Sequence, residues 1–522
     1  MPVTQQGSLN TTALVVPDLY VQIVAPQNLV LNGVPTNVIG MVGTASWGPV
    51  NQPVALGTMA DYARNFGPVV ARKYDMGTQV ATAVQQGAQA FRCVRVSDGT
   101  DVAASYSLFF ANGAYAAQLT ARYSGTLGNR VTVWLGAGSA SGSWRLTIGL
   151  PGQLPEVFDN IAAPSPAVFW QNLVAAVNAG TGPLRGPSQL VVASLGAAAS
   201  TVPAAINAQT LLGGTDGASV TAAMLVGLDT LPRTGLYALR GQGCSIGLLA
   251  DTDDSTQWTT QAQFGLGEGV YMILTGPAGD TISGAVAAKQ AAGLDTYAAK
   301  LMFGDWIYWS DRTNGVLRLV SPQGFVAGRL ANLSPEQSSL NKPLYGVVGS
   351  QKAGAPGSGQ VASYSAAELG TLFQAGIDVI ANPQPGGAFW GVRCGHNASS
   401  NPATNGDNYT RLTNYIAATL AAGMGLYVGQ VINAALLQRV RATQLSFLQA
   451  LLAQGILGSV DGSVPFAVIC DASNNPASRT SLGYVQSDAQ VQFQGINEKF
   501  IVNLEGGQTV QVARQTLPGG QA

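Results

Sequence analysis

The sequence predicts a multidomain chain of α/β and β character, in which an α/β core is interrupted by a β-rich insertion and carries strand-like arms at both ends. Three observations predict it. Residues 37–97 run strand, helix, strand, and that alternation resumes after residue 211. Between them, residues 98–210 hold short alternating apolar runs separated by Gly, Ser and Asn. The two ends carry apolar runs without a helical pattern beside them. A length of 522 residues suffices for a large core divided among three or four domains.

Residues 1–36 read as an extended arm. Leu19, Val21 and Ile23 alternate with Tyr20, Gln22 and Val24, while Pro17, Pro26 and Pro35 favour an edge or unpaired position. The apolar run Val38 to Gly43 reads as a buried strand, and Gly48-Pro49 as a turn. Thr58 has the chemistry of an N-cap for a helix from Met59 to Phe66. A second helix is expected at about Met76 to Ala90, then a strand from Ala90 to Val96. In the insertion, strands are expected at Ser105 to Phe110, Tyr115 to Ala121, Val131 to Leu135 and Trp144 to Ile148, with one helix at about Ala167 to Val177. Ser245 to Ala250 and Val270 to Leu274 read as buried strands, and Ile282 to Met302 as one helix. Residues 352–360, KAGAPGSGQ, form a flexible loop, and a helix opens at about Ala366. The strongest helical pattern runs from Asn433 to Gln454, with Leu437, Val440, Phe447, Leu448, Leu451 and Leu452 on one broad face. Arg441 and Gln444 break that face, so a polar partner is expected there. Val464 to Cys470 reads as a strand, and Phe500 to Leu504 and Thr509 to Val512 as strand-like runs joined through Gly506-Gly507.

Charged residues make up only 10% of the chain and apolar ones 47%, with a mean hydropathy of +0.20. An ordinary soluble protein is about 25% charged. Two readings fit: a membrane protein, or a soluble one that hides its surface in an assembly. The net charge of −1 and the lack of basic runs argue against nucleic acid, whose phosphates need clustered Lys and Arg. Tyr415 to Leu437 holds 23 residues without a charge, long enough to span a bilayer. Gly423, Gly425, Gln430 and Asn433 interrupt it, and basic residues flank both ends, so it is read as a buried helix broken near Gly423–Gly425. The start, MPVTQQGSLN, has no basic n-region or apolar h-region, so no signal peptide is predicted. Cys93, Cys244, Cys394 and Cys470 form no CxxC pair, which disfavours zinc. They fit buried thiols, with disulfides within or between subunits left open.

Three patterns invite an enzymatic reading. Gly243-Cys244-Ser245-Ile246-Gly247 matches G-x-S-x-G, but that motif needs a strand before the Ser and a helix after it, and here a strand follows. A base would have to be His396, the sole His, in a loop-like Gly395-His396-Asn397. Asp251, Asp253 and Asp254 are the densest carboxylates, yet no EF-hand spacing follows, and a solvated loop is the expectation. Gly265-Leu266-Gly267-Glu268-Gly269 has its third Gly at the wrong offset for a dinucleotide loop. No catalytic, metal or cofactor residue is therefore assigned. A serine-hydrolase-like enzyme and a membrane-associated protein stand as the alternatives.

Several segments, in order along the chain, resemble tail sheath proteins of contractile-tailed, myovirus-type bacteriophages. Val38 to Gly67 resembles the family's strand, then G-x-A-x-x-G-P-x-N-x-P, then a short helix ending in F-G. Ala121 to Gly125 with Gly128-Asn129 resembles the opening of its inserted domain, and Leu211 to Gly217 (LLGGTDG) the return from it. Pro322 to Gly328, Gly376-Ile377-Asp378 with Trp390-Gly391-Val392-Arg393, and Phe447 to Gly458 continue the likeness. The sequence departs from the pattern at Cys394, where the family has a hydroxyl residue, and in residues 331–343, which are less charged.

The resemblance implies a sheath-type α/β core with an inserted β-rich domain and extended N- and C-terminal strand arms. It divides the chain into an N-terminal arm (1–36), the first part of the core (37–97), an inserted surface domain (98–210), an α/β, subtilisin-like but non-catalytic domain (211–350), a C-terminal α/β core domain (351–499) and a C-terminal arm (500–522). It implies a structural virion subunit, without cofactor or enzymatic activity, that assembles in the bacterial host cytoplasm. The partners it implies are further copies in stacked, six-fold rings, a tail tube protein, and baseplate and tail terminator proteins, with neither nucleic acid nor membrane insertion. Tail contraction by subunit rotation and re-packing would drive the tube through the host envelope for genome ejection. Donor-strand exchange would link the subunits through Leu19, Val21, Ile23, Phe500, Ile501, Val502 and Leu504, with hinges at Pro26, Gly33, Gly506 and Gly507. The residues supply a physical basis, because an unpaired strand edge is a template for another chain. The competing expectation is that the arms fold back on their own domain.

Overall fold

In the computed structural model, which describes residues 3–4, 21–22, 31–111, 113–183 and 185–509, the first paired segments are β1 (Val3–Thr4) and β2 (Val21–Gln22), running parallel. The core begins with β3 (Ile39–Gly43), buried at every position because both faces of its sheet are covered. After β4 (Pro53–Leu56), α1 (Met59–Phe66) starts on a reciprocal cap: Thr58 takes the Asp61 N–H, and the Asp61 carboxylate takes the Thr58 N–H. α2 (Met76–Gln85) opens on Asp75, which accepts the Thr78 N–H at 2.8 Å, and β5 (Phe91–Arg95) returns to the sheet.

The chain then leaves for the insertion. β6 (Ser105–Ala111), β7 (Ala114–Ala121), β8 (Thr132–Ala137), β9 (Ser143–Gly149), β10 (Glu156–Ala162), α3 (Pro166–Ala179), β11 (Val191–Leu195) and β12 (Ile206–Thr210) build two antiparallel sheets, ordered β10-β9-β8-β12 and β11-β7-β6. Leu119, Val133, Leu146, Phe158, Phe169 and Trp170 fill a core of their own. Val102 bridges Thr215 and Ser105 bridges Leu212, tying the two connecting segments together.

The core resumes with α4 (Ala222–Val226), β13 (Ile246–Leu249), α5 (Trp258–Glu268), β14 (Tyr271–Thr275), α6 (Ile282–Ala291), β15 (Ala299–Met302), β16 (Ile307–Asp311), β17 (Val316–Val320), α7 (Gln323–Ala331) and β18 (Val347–Ser350). It continues through α8 (Ala366–Gln374), β19 (Ile377–Asp378), β20 (Ile380–Ala381) and β21 (Gly391–Val392). The main sheet has the order β19-β15-β14-β13-β3-β5-β4, parallel except for β4. It takes strands from both sides of the insertion, so residues 37–97 and 211–350 share one sheet, and β19 from the next segment extends it. The helix expected over Ile282 to Met302 is corrected here. It ends at Ala291, Gly293 turns the chain at φ 61, and Ala299–Met302 pairs with β14 as β15. The Ala-rich composition of that stretch looks helical, and tertiary pairing overrides it.

The C-terminal region consists of α9 (Asp407–Met424), α10 (Ala434–Ala453), β22 (Phe466–Ile469), α11 (Ala477–Thr480) and β23 (Asp488–Val491). The charge-free stretch from Tyr415 is broken after Met424: a short 3-10 turn covers Gly425–Tyr427, and α10 starts afresh at an Asn433 cap. No described helix is long and apolar enough to cross a membrane. Arg441 and Gln444 do meet polar partners, the Val468 carbonyl at 3.1 Å and the Ser487 hydroxyl at 2.6 Å.

Candidate assembly surface

Strand edges decide where a β-containing protein can add a second chain. In the insertion, each outer edge is obstructed. On β11, the Asn178 side chain from α3 acts as a substitute strand: it accepts the Ala193 N–H at 2.9 Å and donates to the Ala193 carbonyl at 2.7 Å. On β6, Ser105 exchanges backbone bonds with Leu212, and Phe109, at φ 53, is skipped in the register. β10 bulges between Phe158 and Ile161, with Asn160 at φ 58, and β12 shifts register between Ile206 and Gln209.

The C-terminal sheet is different. β22 and β23 pair antiparallel from Phe466 opposite Val491 to Ile469 opposite Asp488, and they stand alone as two strands. The Gln492 N–H donates to the Pro465 carbonyl at 2.7 Å, which fixes the phase of the ladder. Gln490 and Gln492 therefore bond toward β22, whereas Ala489 and Val491 turn their backbone groups outward. On the opposite edge, Arg441 occupies the Val468 carbonyl. The β23 edge has no backbone partner among the described residues. A two-stranded ribbon is marginal alone, and this one is held by packing of Val468 with Phe447, Leu448 and Leu451 of α10.

Past β23, residues 492–500 run as a strap without regular structure. Phe493 meets Tyr409 edge-on with centroids 5.8 Å apart, Asn408 donates to the Gln494 carbonyl at 3.1 Å, and His396 Nε2 lies 2.7 Å from Glu498 Oε1. Then Phe500, Ile501, Val502 and Leu504 stand 82%, 81%, 70% and 91% exposed, a run too apolar to be ordinary surface. Gly506 and Gly507 follow, also exposed. At the other end, Val21 lies in β2, while Leu19, Ile23 and Pro26 lie outside the described residues. The root of that arm is anchored: Leu31 is buried against Ile416, Phe447 and Leu448, and the Val34 N–H donates to Thr419 Oγ1 at 3.2 Å. Gly33 and Gly423 permit this approach. A Cβ on Gly33 would overlap the Tyr415 hydroxyl, and one on Gly423 would overlap Leu31.

Beneath the surface lies a buried charge cluster that no motif announces. Lys300 on β15 donates to Asp378 Oδ2 at 2.6 Å, the His396 carbonyl at 2.9 Å and Asp407 Oδ1 at 3.0 Å, and all three charged side chains are shielded from solvent. Asp378 also accepts the backbone N–H groups of Val379, Cys394 and Gly395, and Asp407 accepts Tyr271 Oη at 2.6 Å and the Ser339 hydroxyl. Burial works against the Lys300 ammonium, but the two carboxylates outweigh it and hold its pKa above the usual value. Burial likewise pushes Asp407 up, and Lys300, Ser339 and Tyr271 more than reverse it. The cluster joins β15, β19, the start of α9 and the 338–339 loop; its one ammonium faces two carboxylates, and the remaining negative charge is met by the N–H and hydroxyl donors around them.

The residues singled out for chemistry are not brought together. Ser245 precedes β13, as the sequence expects, and its hydroxyl donates to the Val38 carbonyl at 3.1 Å, while His396 faces Glu498. Asp251 accepts from Gln79, Asp253 pairs with Lys73, and Asp254 caps the turn at Thr256. The described residues contain no group of three or more His, Cys, Asp or Glu arranged to hold a metal. All four cysteines are free thiols; Cys93, Cys394 and Cys470 are buried and Cys244 is half-buried. Burial pushes the Cys244 thiol up to about 12 and Cys93 and Cys394 higher still, so none is poised as a nucleophile.

No protein-family model matches the sequence, and no curated protein matches it. Solved structures do. The chain is similar to the sheath tail protein of Listeria innocua, at 15% identity and a TM-score of 0.59, over 85% of this chain and 90% of that one. It is similar to the sheath tail protein of Desulfitobacterium hafniense, at 14% identity and a TM-score of 0.56, over 86% and 93%. The sheath of an extracellular contractile injection system, PVC, in its contracted state aligns at 13% identity and a TM-score of 0.54, over 95% and 99%. This chain therefore has the mixed α/β multidomain fold of those sheath proteins over most of its length.

Proposed function

We propose that this chain is the structural subunit of a contractile tail sheath. It polymerises around a tail tube in stacked rings, bounded by baseplate and terminator proteins, and contracts by rotation and re-packing to drive the tube through a bacterial envelope. The observation that carries the reading is an exposed apolar tail on a chain that also presents, at β23, a strand edge without a backbone partner among the described residues, while its insertion obstructs its own edges. Residues 500–504 of one copy extend as a strand along β23 of the next. In that conformation Phe500, Val502 and Leu504 share a face. Burying them contributes roughly 5–9 kcal/mol before the cost of ordering the tail. The sheath fold and the low charge of the surface support the same reading. The bacteriophage tail, assembled in the host cytoplasm, is the setting that suits it.

Negative-stain electron microscopy of the purified chain, alone and with a tail tube, tests the proposal. Hollow tubes or stacked rings are expected. A chain ending at Lys499 should keep its fold by circular dichroism and form no tubes. Long tubes from that truncation would sink the strand-donation reading.

A further inference from the structure

The strap that leads to the donated tail is poorly seated. Cavities of about 460 Å³ and 900 Å³ flank it, the first lined by Asn408, Tyr409, Phe493 and Ile496, the second by Phe373, Arg393, His396 and Phe500. Both open to solvent, so along them the strap lacks packed partner atoms and gains little dispersion energy from its bed. Up to Gln494 it is held by a ladder bond, a ring contact and the Asn408 amide. Among the described residues, the one hydrogen bond beyond that point is His396 to Glu498. The two partners differ in rigidity. His396 sits on a loop whose backbone pairs with Gly406 and whose carbonyl is gripped by the buried Lys300. Glu498 is tethered on one side by a short chain from Gly495 and on the other by the exposed tail.

We propose that His396 and Glu498 form a releasable latch that sets the pivot of the C-terminal arm. This rests on the reading of residues 500–504 as a donated strand. With the latch closed, the arm leaves the body at Lys499. With it open, the arm leaves at Gly495 and gains four residues, about 13 Å of reach. That slack lets a strand stay paired with its neighbour while the two bodies shift past each other. The remaining strap contacts, from Gln492 to Gln494, are independent of the latch and keep the arm attached.

Trypsin cleavage of the unassembled full-length chain after Lys499 reads the latch, because a protease needs several loosened residues around the scissile bond. His396→Ala leaves the sequence at that bond unchanged. It should raise the cleavage rate there about two- to tenfold, the effect of losing one part-exposed hydrogen bond. Cleavage after Arg479, in the separate short helix α11, should keep its wild-type rate and so reports any general loosening. His396→Gln, whose amide can still donate to Glu498, should restore most of the protection. An unchanged rate after Lys499 in His396→Ala overturns the latch, and so does an equal rise at Arg479. Tube formation by the chain ending at Lys499 would instead overturn strand donation and leave the proteolysis result standing.

Discussion

Replacing Lys300 with Met removes the one cation from a pocket that holds two carboxylates. Lys300, Asp378 and Asp407 are all shielded from solvent, at 2.6 and 3.0 Å separations. Breaking a buried ion pair from one side costs about 3–5 kcal/mol, because the surviving charge stays buried. Here the lower end applies. Asp378 keeps three backbone N–H donors and Asp407 keeps Tyr271 and Ser339, so neither is left bare. The expected loss is about 3 kcal/mol, centred on β15, β19 and the first turn of α9. Urea unfolding followed by tryptophan fluorescence measures it as a lower midpoint, without assuming that so large a chain unfolds in one step. Adding Asp378→Asn and Asp407→Asn to Lys300→Met removes both stranded charges and should recover more than half of the shift. If Lys300→Met unfolds within about 0.5 kcal/mol of wild type, the cluster is hydrated in solution and the argument from burial fails.

Asp75 and Asp251 are both pushed up to about 6, chiefly by burial. A carboxyl whose folded pKa lies above its ordinary 3.8 stabilises the fold in its protonated form, and that contribution is lost as pH rises from about 4 to about 6. Each accounts for up to about 3 kcal/mol over that window, so Asp251→Asn should flatten the urea midpoint between pH 4 and pH 6.5; an unchanged slope contradicts the assignment. Gly33→Ala should detach the N-terminal arm from α9 through overlap with Tyr415, seen as faster proteolysis of the arm, and a second change, Tyr415→Ala, should reverse it. Ala489→Pro removes an outward N–H from β23 while sparing the ladder to β22; tube formation should fall sharply with the monomer's circular dichroism unchanged, and normal tubes would move the donated strand to another edge.

The elements with strong local signals were legible in the sequence. The Thr58 cap of α1, the span of α10 and the alternating strands β6 to β9 fall where the residue pattern puts them, because each depends on neighbours in the chain. The strands within residues 98–210 were legible for the same reason, since turn residues divide them. What escaped depends on partners distant in sequence. β15 is Ala-rich and becomes a strand through β14, and β23, DAQV, carries no apolar signal and exists because β22 lies opposite. Lys300, Asp378 and Asp407 are far apart in sequence, and only the sheet gathers them. Gly423 was read as a helix breaker, yet it lies inside α9, where its missing side chain admits Leu31. The exposed run Phe500 to Leu504 was visible as strand-like, but within one chain it pairs with nothing among the described residues.

A lattice that moves without nucleotide must keep its subunits joined while their interfaces change. Side-chain contacts between bodies cannot do both, since re-packing breaks them. A donated strand can: its bonds run backbone to backbone and are indifferent to how the bodies face each other. Such a joint works only if the strand edge it uses is unique and the chain leading to it can yield. The obstructed edges of the insertion bear on the first condition, and β23 offers an edge with no backbone partner among the described residues. The thinly held strap from Gly495 to Lys499 meets the second. Under the proposed function the buried charge cluster would have a mechanical role: it ties the loop bearing His396 to the main sheet, so force arriving through the arm would pull on β15 and β19 instead of on a loose surface loop. On this reading, weakening the cluster in an assembled sheath would loosen the anchor before the joint.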